Sequence, residues 1–499
     1  MKYRVIVPSL LLLLSTTCVV QAEATSEEAD RIKSSFEAYI GKEQGVVEVE
    51  PDGDDYIITL DVMPYITKNA TPDYSAKIDP LVLRVTPEDG DTWTVVSSGP
   101  YAFSFADSKT INSDARIEKY DWKGTFDEAL GGFSTSSFEA SNFVVSQTIT
   151  DPTLGVKVKT DYTIANISRT STATATSAGD GISDAEATVN FSGLVLASKS
   201  ELTPEMAASG FPAIDYTASL SKGSYTTSMS SANLLAMLDI MSWFVAHPKQ
   251  ELVEEDQAEL KEKILKGLPF FNNLSGTGNL ENLKVVTSLG NFAAELGSTS
   301  VNLNGIVKEG SFGEGISLSG ITIPAGLAPA WATSLVPNSF KLDFSVSGFD
   351  VEAPARLIVA AMDLTKEPVI PTELEAQLLP ALSPSNSVVI SLAPGEIVSP
   401  AYTLSYEGAL TANFAGLPTG KATIRLRGMD AIMTSLQGAG DDPSAKQGLG
   451  ALIAAKGFGK AEADGSLVWE IVGTPTGQVT INGLDMSSMI GTPPVAPAQ

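Results

Sequence analysis

The sequence predicts a mainly β, α+β protein: a long antiparallel, twisted sheet or sheets built from β-meander units, with a few packing helices. Three observations predict it. Short runs alternate apolar and polar residues with period two, as in Val156-Lys157-Val158-Lys159-Thr160 and Thr188-Val189-Asn190-Phe191, the pattern of a strand with one face toward a core. Clusters of Gly, Pro and Asp punctuate these runs at the short intervals that antiparallel hairpins need. Apolar residues make up 43% of the chain, which is enough to fold rather than stay disordered.

The first element after residue 22 is a helix. Thr25 and Glu28 form a capping box, Ala29, Ile32, Phe36 and Ile40 recur on one face, and Gly41 is a natural stop. A hairpin follows: Val47 to Glu50 alternates, Pro51-Asp52-Gly53-Asp54-Asp55 turns, and Tyr56 to Met63 returns. The same grammar repeats with Leu81 to Val85, Pro87-Glu88-Asp89-Gly90-Asp91, and Trp93 to Val96. From there to about residue 198 the chain reads as strand after strand, Phe143-Val144-Val145 among them.

The middle of the chain differs. Ser231 caps a run from Ala232 to Ala246 that is apolar nearly all round, with Asp239 its one charge. This predicts a buried helix, too short to span a bilayer. His247-Pro248 ends it. Glu251 to Lys266 is densely charged with a sparse stripe of Leu252, Leu260, Ile264 and Leu268, which predicts a surface helix stopped by Pro269. The expected organisation is therefore a signal peptide (1–22), an N-terminal β-rich half (23–247), a helical joint (248–275), a C-terminal β-rich half (276–490) and a disordered tail (491–499).

In the C-terminal half, strands are expected at Leu283 to Val286, Val301 to Val307, Ile316 to Ile323 and Phe340 to Val346. Further strands are expected at Val388 to Leu392, Tyr402 to Tyr406, Ala409 to Phe414 and Ala422 to Leu426. Pro324 to Leu335 and the Ala-rich Ser444 to Lys456 read as helices. Leu467 to Val472 and Gln478 to Ile481 form a closing hairpin across Gly473 to Gly477. A weak internal repeat joins Phe191-Ser192-Gly193-Leu194, Leu318-Ser319-Gly320-Ile321 and Phe414-Ala415-Gly416-Leu417. Each is followed by a Pro and then a Gly: Pro212 with Gly223, Pro337 with Gly348, Pro418 with Gly428. It reads as a strand–strand–helix unit or as coincidence in a Gly- and Ser-rich chain.

The beginning of the chain predicts export. Lys2 and Arg4 precede an apolar run from Val5 to Leu14, and Val20-Gln21-Ala22 offers the small residues a signal peptidase reads, so cleavage is expected after Ala22 with a periplasmic destination. Lipidation would have to use Cys18, behind an unfavourable Ser15-Thr16-Thr17. Cleavage removes the only cysteine, so disulfide and thiol chemistry leave with it. It also moves the formal charge from −27 to −29, because Lys2 and Arg4 depart and no acid does. Such a charge confers solubility and repels nucleic acid and anionic head groups.

Catalytic sets are scarce. A serine triad needs a histidine base, and His247 is the only histidine. Its place at a helix C-terminus suits capping or packing. One histidine and no mature cysteine speak against a zinc site of usual composition. Asp52-Gly53-Asp54-Asp55 and Asp89-Gly90-Asp91 offer carboxylates for a weak calcium site, though turn formation accounts for both. Gly438-Ala439-Gly440, followed by Asp441-Asp442, and Gly457-Phe458-Gly459-Lys460 are too short for a phosphate loop. No catalytic, cofactor-binding or metal-binding residue is therefore assigned, and no cofactor is expected.

The order of features, with the closing Asp464-Gly465-Ser466-Leu467-Val468-Trp469 strand and Gly477-Gln478-Val479-Thr480-Ile481-Asn482-Gly483, resembles the exported alphaproteobacterial proteins grouped as domain of unknown function 2125. That resemblance implies export and β-rich character, carries no established activity and transfers no site residues. The expected role is a non-catalytic periplasmic binding or scaffold protein, with an apolar sheet face for a lipid or other hydrophobic ligand or an envelope protein as partner. The alternatives are a cation- or carboxylate-dependent hydrolase and an outer-membrane or surface protein. Nucleic acid and a membrane span after cleavage are not expected.

Overall fold

The computed structural model describes residues 23–486 apart from 70–72, 90, 108, 180, 212, 214, 248–253 and 415. The expected export signal and tail, with Gly90, Pro212, Pro248, Leu252 and Ala415, lie outside the described residues. The fold is mainly β, with 52% strand against 23% helix, and its long antiparallel sheet of 21 strands carries a few helices. The chain divides into two compact units, the first 1–274 with 358–372 and the second 275–357 with 373–499.

In the first unit, α1 (Ser26–Ile40) is capped by Thr25, whose hydroxyl accepts from Glu28 N. The reciprocal half of the expected capping box is absent. Glu28 turns instead to Arg31 on the next turn, and the Thr25 N–H donates to the Tyr56 hydroxyl at 3.2 Å. Ala29, Ile32 and Phe36 are buried against β1 (Val47–Asp52), β2 (Asp55–Leu60) and β4 (Leu81–Glu88). Strand β2 stops at Leu60 rather than running to Met63, because Asp61 Oδ1 accepts from Met63 N and starts the short α2 (Met63–Asn69). After β3 (Tyr74–Ile78) and β4 comes a meander of unusually long strands. These are β5 (Thr92–Asp107), β6 (Ile111–Asp127), β7 (Gly132–Thr150), β8 (Lys157–Ala175), β9 (Ile182–Glu201) and β10 (Tyr216–Asn233), the last reached through α3 (Pro204–Ala208). They run to 20 residues in β9, where strands of ~5–6 are usual. The short segments recognised in the sequence are middle pieces of these strands. Every recorded pairing is antiparallel, in the order β1, β2, β4, β5, β6, β7, β8, β9, β10, with β3 beside the far end of β5.

Helix α4 (Leu234–Ala246) is capped by Asn233, not Ser231. The Asn233 side chain accepts from Ala236 N, while Ser231 sits at φ 51° inside a bulge of β10. The helix is not buried all round. Leu235 and Leu238 face the core and Trp243 is buried, but Phe244 is 48% exposed. Helix α5 (Glu254–Gly267), expected on the surface of a joint, buries Gln257 and Leu260 and belongs to the first unit. It also receives the returning segment 358–372: Gln257 Oε1 accepts from Leu364 N (2.8 Å) and Lys261 donates to Ala360 O (3.0 Å).

The second unit continues with β11 (Asn273–Thr287), β12 (Gly290–Asn304), β13 (Gly310–Ser319), β14 (Ser339–Phe349), the start of α6 (Glu352–Ala361), whose end from residue 358 belongs to the first unit, and α7 (Glu375–Leu382). Next come β15 (Ser387–Val398), β16 (Thr403–Asn413), β17 (Thr419–Arg427), α8 (Met429–Gln437) and α9 (Pro443–Phe458). The unit closes with β18 (Lys460–Ala461), β19 (Leu467–Gly473), β20 (Val479–Ile481) and β21 (Leu484–Asp485). Leu426, Met429, Leu467 and Trp469 are its buried core, with α8 and α9 packed over them. The helix expected at Pro324 to Leu335 reduces to a 3₁₀ turn at Ala330–Leu335, and α6 and α7 were not anticipated. The two strands expected around Gly408 are one, β16, since glycine lets the chain pass close to Ala422. The strand–strand–helix order recurs as β9–β10–α4, β13–β14–α6 and β16–β17–α8. The glycines do not share a position, however: Gly193 is mid-strand, Gly320 follows β13, and Gly416 lies in the β16–β17 turn.

Candidate binding face

The long meander of the first unit is two-sided. Its outer face is hydroxyl-rich and charged. Thr188 and Thr226 hydroxyls meet at 3.0 Å across β9 and β10, and Ser146 donates to Asp161 at 2.7 Å across β7 and β8. Its inner face is mainly apolar, crossed near the far end by a polar row of Ser113, Gln147, Thr160 and Ser198, of which Ser113 and Ser198 are buried. Near α1, Trp93, Val95 and Phe126 belong to the buried core. Farther along the strands the same face is only half covered: Phe143, Val145, Ile164 and Leu196 are half-buried, and Ile149 is 47% exposed.

A transverse line divides this face. Glu118, Asn142, Ala165, Gly193 and Ser221 succeed one another across β6 to β10, and on β5 Gly99 lies beside the line, opposite Tyr120. Each strand from β6 to β10 places inner-face residues three apart here instead of two: Ile117 and Tyr120, Ala140 and Phe143, Ile164 and Ile167, Phe191 and Leu194, Leu220 and Gly223. One extra residue per strand at one line keeps these ladders in step while every side chain changes face. Strand β5 lacks the extra residue, so the β5–β6 ladder shifts register there. Gly99 (φ 141°), Asn142 (φ 52°) and Gly193 (φ 65°) supply the positive-φ backbone, which Gly and Asn adopt most readily. On the outer side Asn142 donates to Glu118 at 2.5 Å. Just inside the line, Ser97 gives its one proton to Val82 O (2.7 Å) and so accepts from the Tyr120 hydroxyl (2.7 Å).

On the α1 side of the line, Trp122, Phe138, Arg169, Val189 and Tyr225 lie directly opposite one another across β6 to β10. The next row, toward the strand ends, contains Ser136 and Ser171, whose hydroxyls meet at 2.6 Å. Arg169 is the one charged residue among the inner-face positions of β6 to β10. Nothing in the sequence analysis singled it out.

The second unit repeats the two-sided plan. Ile316 lies opposite Leu342, and Ile390 opposite Leu410, all four exposed on one face. The other face carries Ser317, Lys341, Ser391 and Ser405.

The residues weighed for chemistry are placed as follows. His247 caps α4 with its ring stacked on Trp243 at 4.5 Å, Nδ1 2.9 Å from Trp243 O and Nε2 3.6 Å from Asp256. Asp52 and Asp55 both grip Arg84 (2.8 and 2.7 Å), and Thr86 also donates to Asp55. The Thr86 and Arg84 bonds hold the Asp55 carboxyl below its ordinary range. Asp442, beside the glycine pair, caps α9 itself by accepting from Ser444 N and Ala445 N. Among the described residues no group of three or more His, Cys, Asp or Glu is placed to hold a metal ion, and no helix is long and apolar enough to cross a membrane. No family model matches the chain, and no curated protein matches it.

Proposed function

We propose that the protein is exported and acts as a non-catalytic binding protein, holding an elongated apolar ligand on the inner face of the first unit. One observation carries this reading: an apolar face with half-exposed Phe143, Val145, Ile164 and Leu196 and an exposed Ile149, backed by a polar outer face. Apolar surface left in water on a monomer marks a place where something binds. On β7 the half-open residues run from Phe143 to Ile149, ~20 Å at ~3.4 Å per residue, so the surface suits a chain more than a compact ring. The export signal in residues 1–22 supports a periplasmic setting, where apolar compounds need a carrier between membranes.

Ligand chain length tests this. Each buried methylene contributes ~0.8 kcal/mol, so two more should tighten Kd roughly tenfold. The mature chain, purified without detergent, is titrated with straight-chain alcohols of increasing length, and native mass spectrometry checks for a retained ligand. A protein that is always empty and binds none of the alcohols overturns the proposal.

A further inference from the structure

The inner face holds one feature that an apolar ligand alone does not explain. Arg169 sits in an aromatic row between Phe138 and Val189, with Trp122 and Tyr225 one strand farther on either side. Arg31, Arg84, Arg356 and Arg427 pair with carboxylates of this acidic chain, Arg425 donates to Ser466, and Arg116, also without a bonded partner among the described residues, lies on the polar outer face where water solvates it. Arg169 is exposed and, among the described residues, makes no hydrogen bond and no ion pair. Ser171, two residues along the strand, and Ser136 opposite it add two hydroxyls on the same face.

We propose that Arg169 is the head-group subsite of this face and that the ligand is a single-chain amphiphile with a carboxylate head, a free fatty acid. The inference rests on the proposed apolar-ligand reading and adds to it the charge of the ligand. A guanidinium fork fits a carboxylate with two parallel hydrogen bonds. One cation neutralises one negative charge, and the serine pair supplies further donors. Beyond Arg169, β8 presents Ile167, Ile164, Tyr162, Thr160 and Val158 on the same face. That path is ~35 Å at ~3.3 Å per residue, room for one acyl chain laid along the strand. The formal charge of −27 argues for a monomeric acid over an anionic bilayer, which such a chain repels. The competing role for a lone charge on an apolar face is to block sheet-to-sheet association.

The test uses the full mature chain with palmitate and hexadecanol as matched probes, each competed against a fluorescent acyl probe. Wild type should bind palmitate roughly tenfold or more tighter than hexadecanol, the effect of a charge-assisted hydrogen bond. Arg169→Gln should abolish that preference by weakening palmitate binding far more than hexadecanol binding. Arg169→Lys should keep part of it. Far-ultraviolet circular dichroism and gel filtration check that the variants fold and keep the oligomeric state of the wild type. Equal binding of both probes by wild type, or a preference that survives in Arg169→Gln, overturns the head-group assignment while the apolar face stands. Failure of both probes to bind overturns the functional reading beneath it. Association with phosphatidylglycerol vesicles in place of palmitate refutes the free-acid ligand.

Discussion

Replacing Gly193 with alanine strikes the transverse line where its geometry is tightest. Gly193 has φ 65°, and a Cβ there would lie 2.8 Å from the Ala165 Cβ on the neighbouring strand. Two costs combine. An L-residue in the left-handed region costs ~1–2 kcal/mol. Overpacking against Ala165, held between the paired residues Ile164 and Asn166, costs ~1–3 kcal/mol. The reduced freedom of the unfolded chain returns ~0.4–1 kcal/mol, leaving a net loss of about 1–5 kcal/mol. Gly210→Ala is the control: φ 78° but open space around the new methyl, so it carries the backbone cost alone. Ala165→Gly in the Gly193→Ala background removes the clash and should recover the packing part, giving a coupling of about 1–3 kcal/mol in a double-mutant cycle. Urea denaturation followed by tryptophan fluorescence and circular dichroism measures the wild type, the three single variants and the double variant. A Gly193→Ala loss no larger than that of Gly210→Ala, or strict additivity with Ala165→Gly, would refute the reading of a sterically pinned line.

Two further predictions concern the core and the face. Ile58, 1% exposed beneath α1 and paired with Leu83, should lose about 2–5 kcal/mol as Ile58→Ala, whereas Ile149→Ala on the half-open face should change stability by under ~0.5 kcal/mol yet weaken alcohol binding; denaturation and titration on the same samples separate the two. Burial pushes the Glu128 carboxyl above its ordinary range, against the lowering pull of the Trp93 indole N–H (2.8 Å) and of Arg31. A raised value means folding favours the protonated acid, so this contribution is present below the ordinary carboxylate range and lost as pH rises through the raised value. Glu128→Gln keeps an acceptor for Trp93 and should therefore stabilise the protein at neutral pH, with the gain fading toward about pH 4; urea midpoints that differ equally at both pH values would contradict the assignment.

What the sequence made legible was local. Helix α1 is readable because its cap and its apolar stripe lie within a few turns of each other, and the terminal hairpin is readable because its turn residues are adjacent. Strand length was not readable. Val156 to Thr160 alternates cleanly, but Ile164-Ala165-Asn166-Ile167 breaks period two inside β8, and such a break reads as the end of a strand when it is a change of face within one. Helix α4 shows the reverse error. Its apolar composition suggested burial on all sides, yet while Leu235, Leu238 and Trp243 pack inward and Asp239 pairs with Lys263 of α5, Phe244 remains 48% exposed.

The candidate subsite was hidden for the same reason that the strands looked short. Val158, Thr160, Tyr162 and Ile164 set a parity along β8 that assigns Arg169 to the polar outer face, where one more charge would mean nothing. The extra residue between Ile164 and Ile167 reverses that parity and brings Arg169 into line with Phe138 and Val189. The only trace of the reversal in the sequence was Phe191-Ser192-Gly193-Leu194, noticed as a possible repeat unit. Its significance lies across the sheet instead. Gly193 abuts Ala165, and both stand in one row with Asn142 and Glu118. A single strand cannot reveal that row, because the line exists only once the strands are paired. It follows that deleting Ala165 alone would return Arg169 to the outer face only by breaking step with β7 and β9. The position of the cation and the register of the sheet are thus held by the same residues, and the apolar face cannot lose one without disturbing the other.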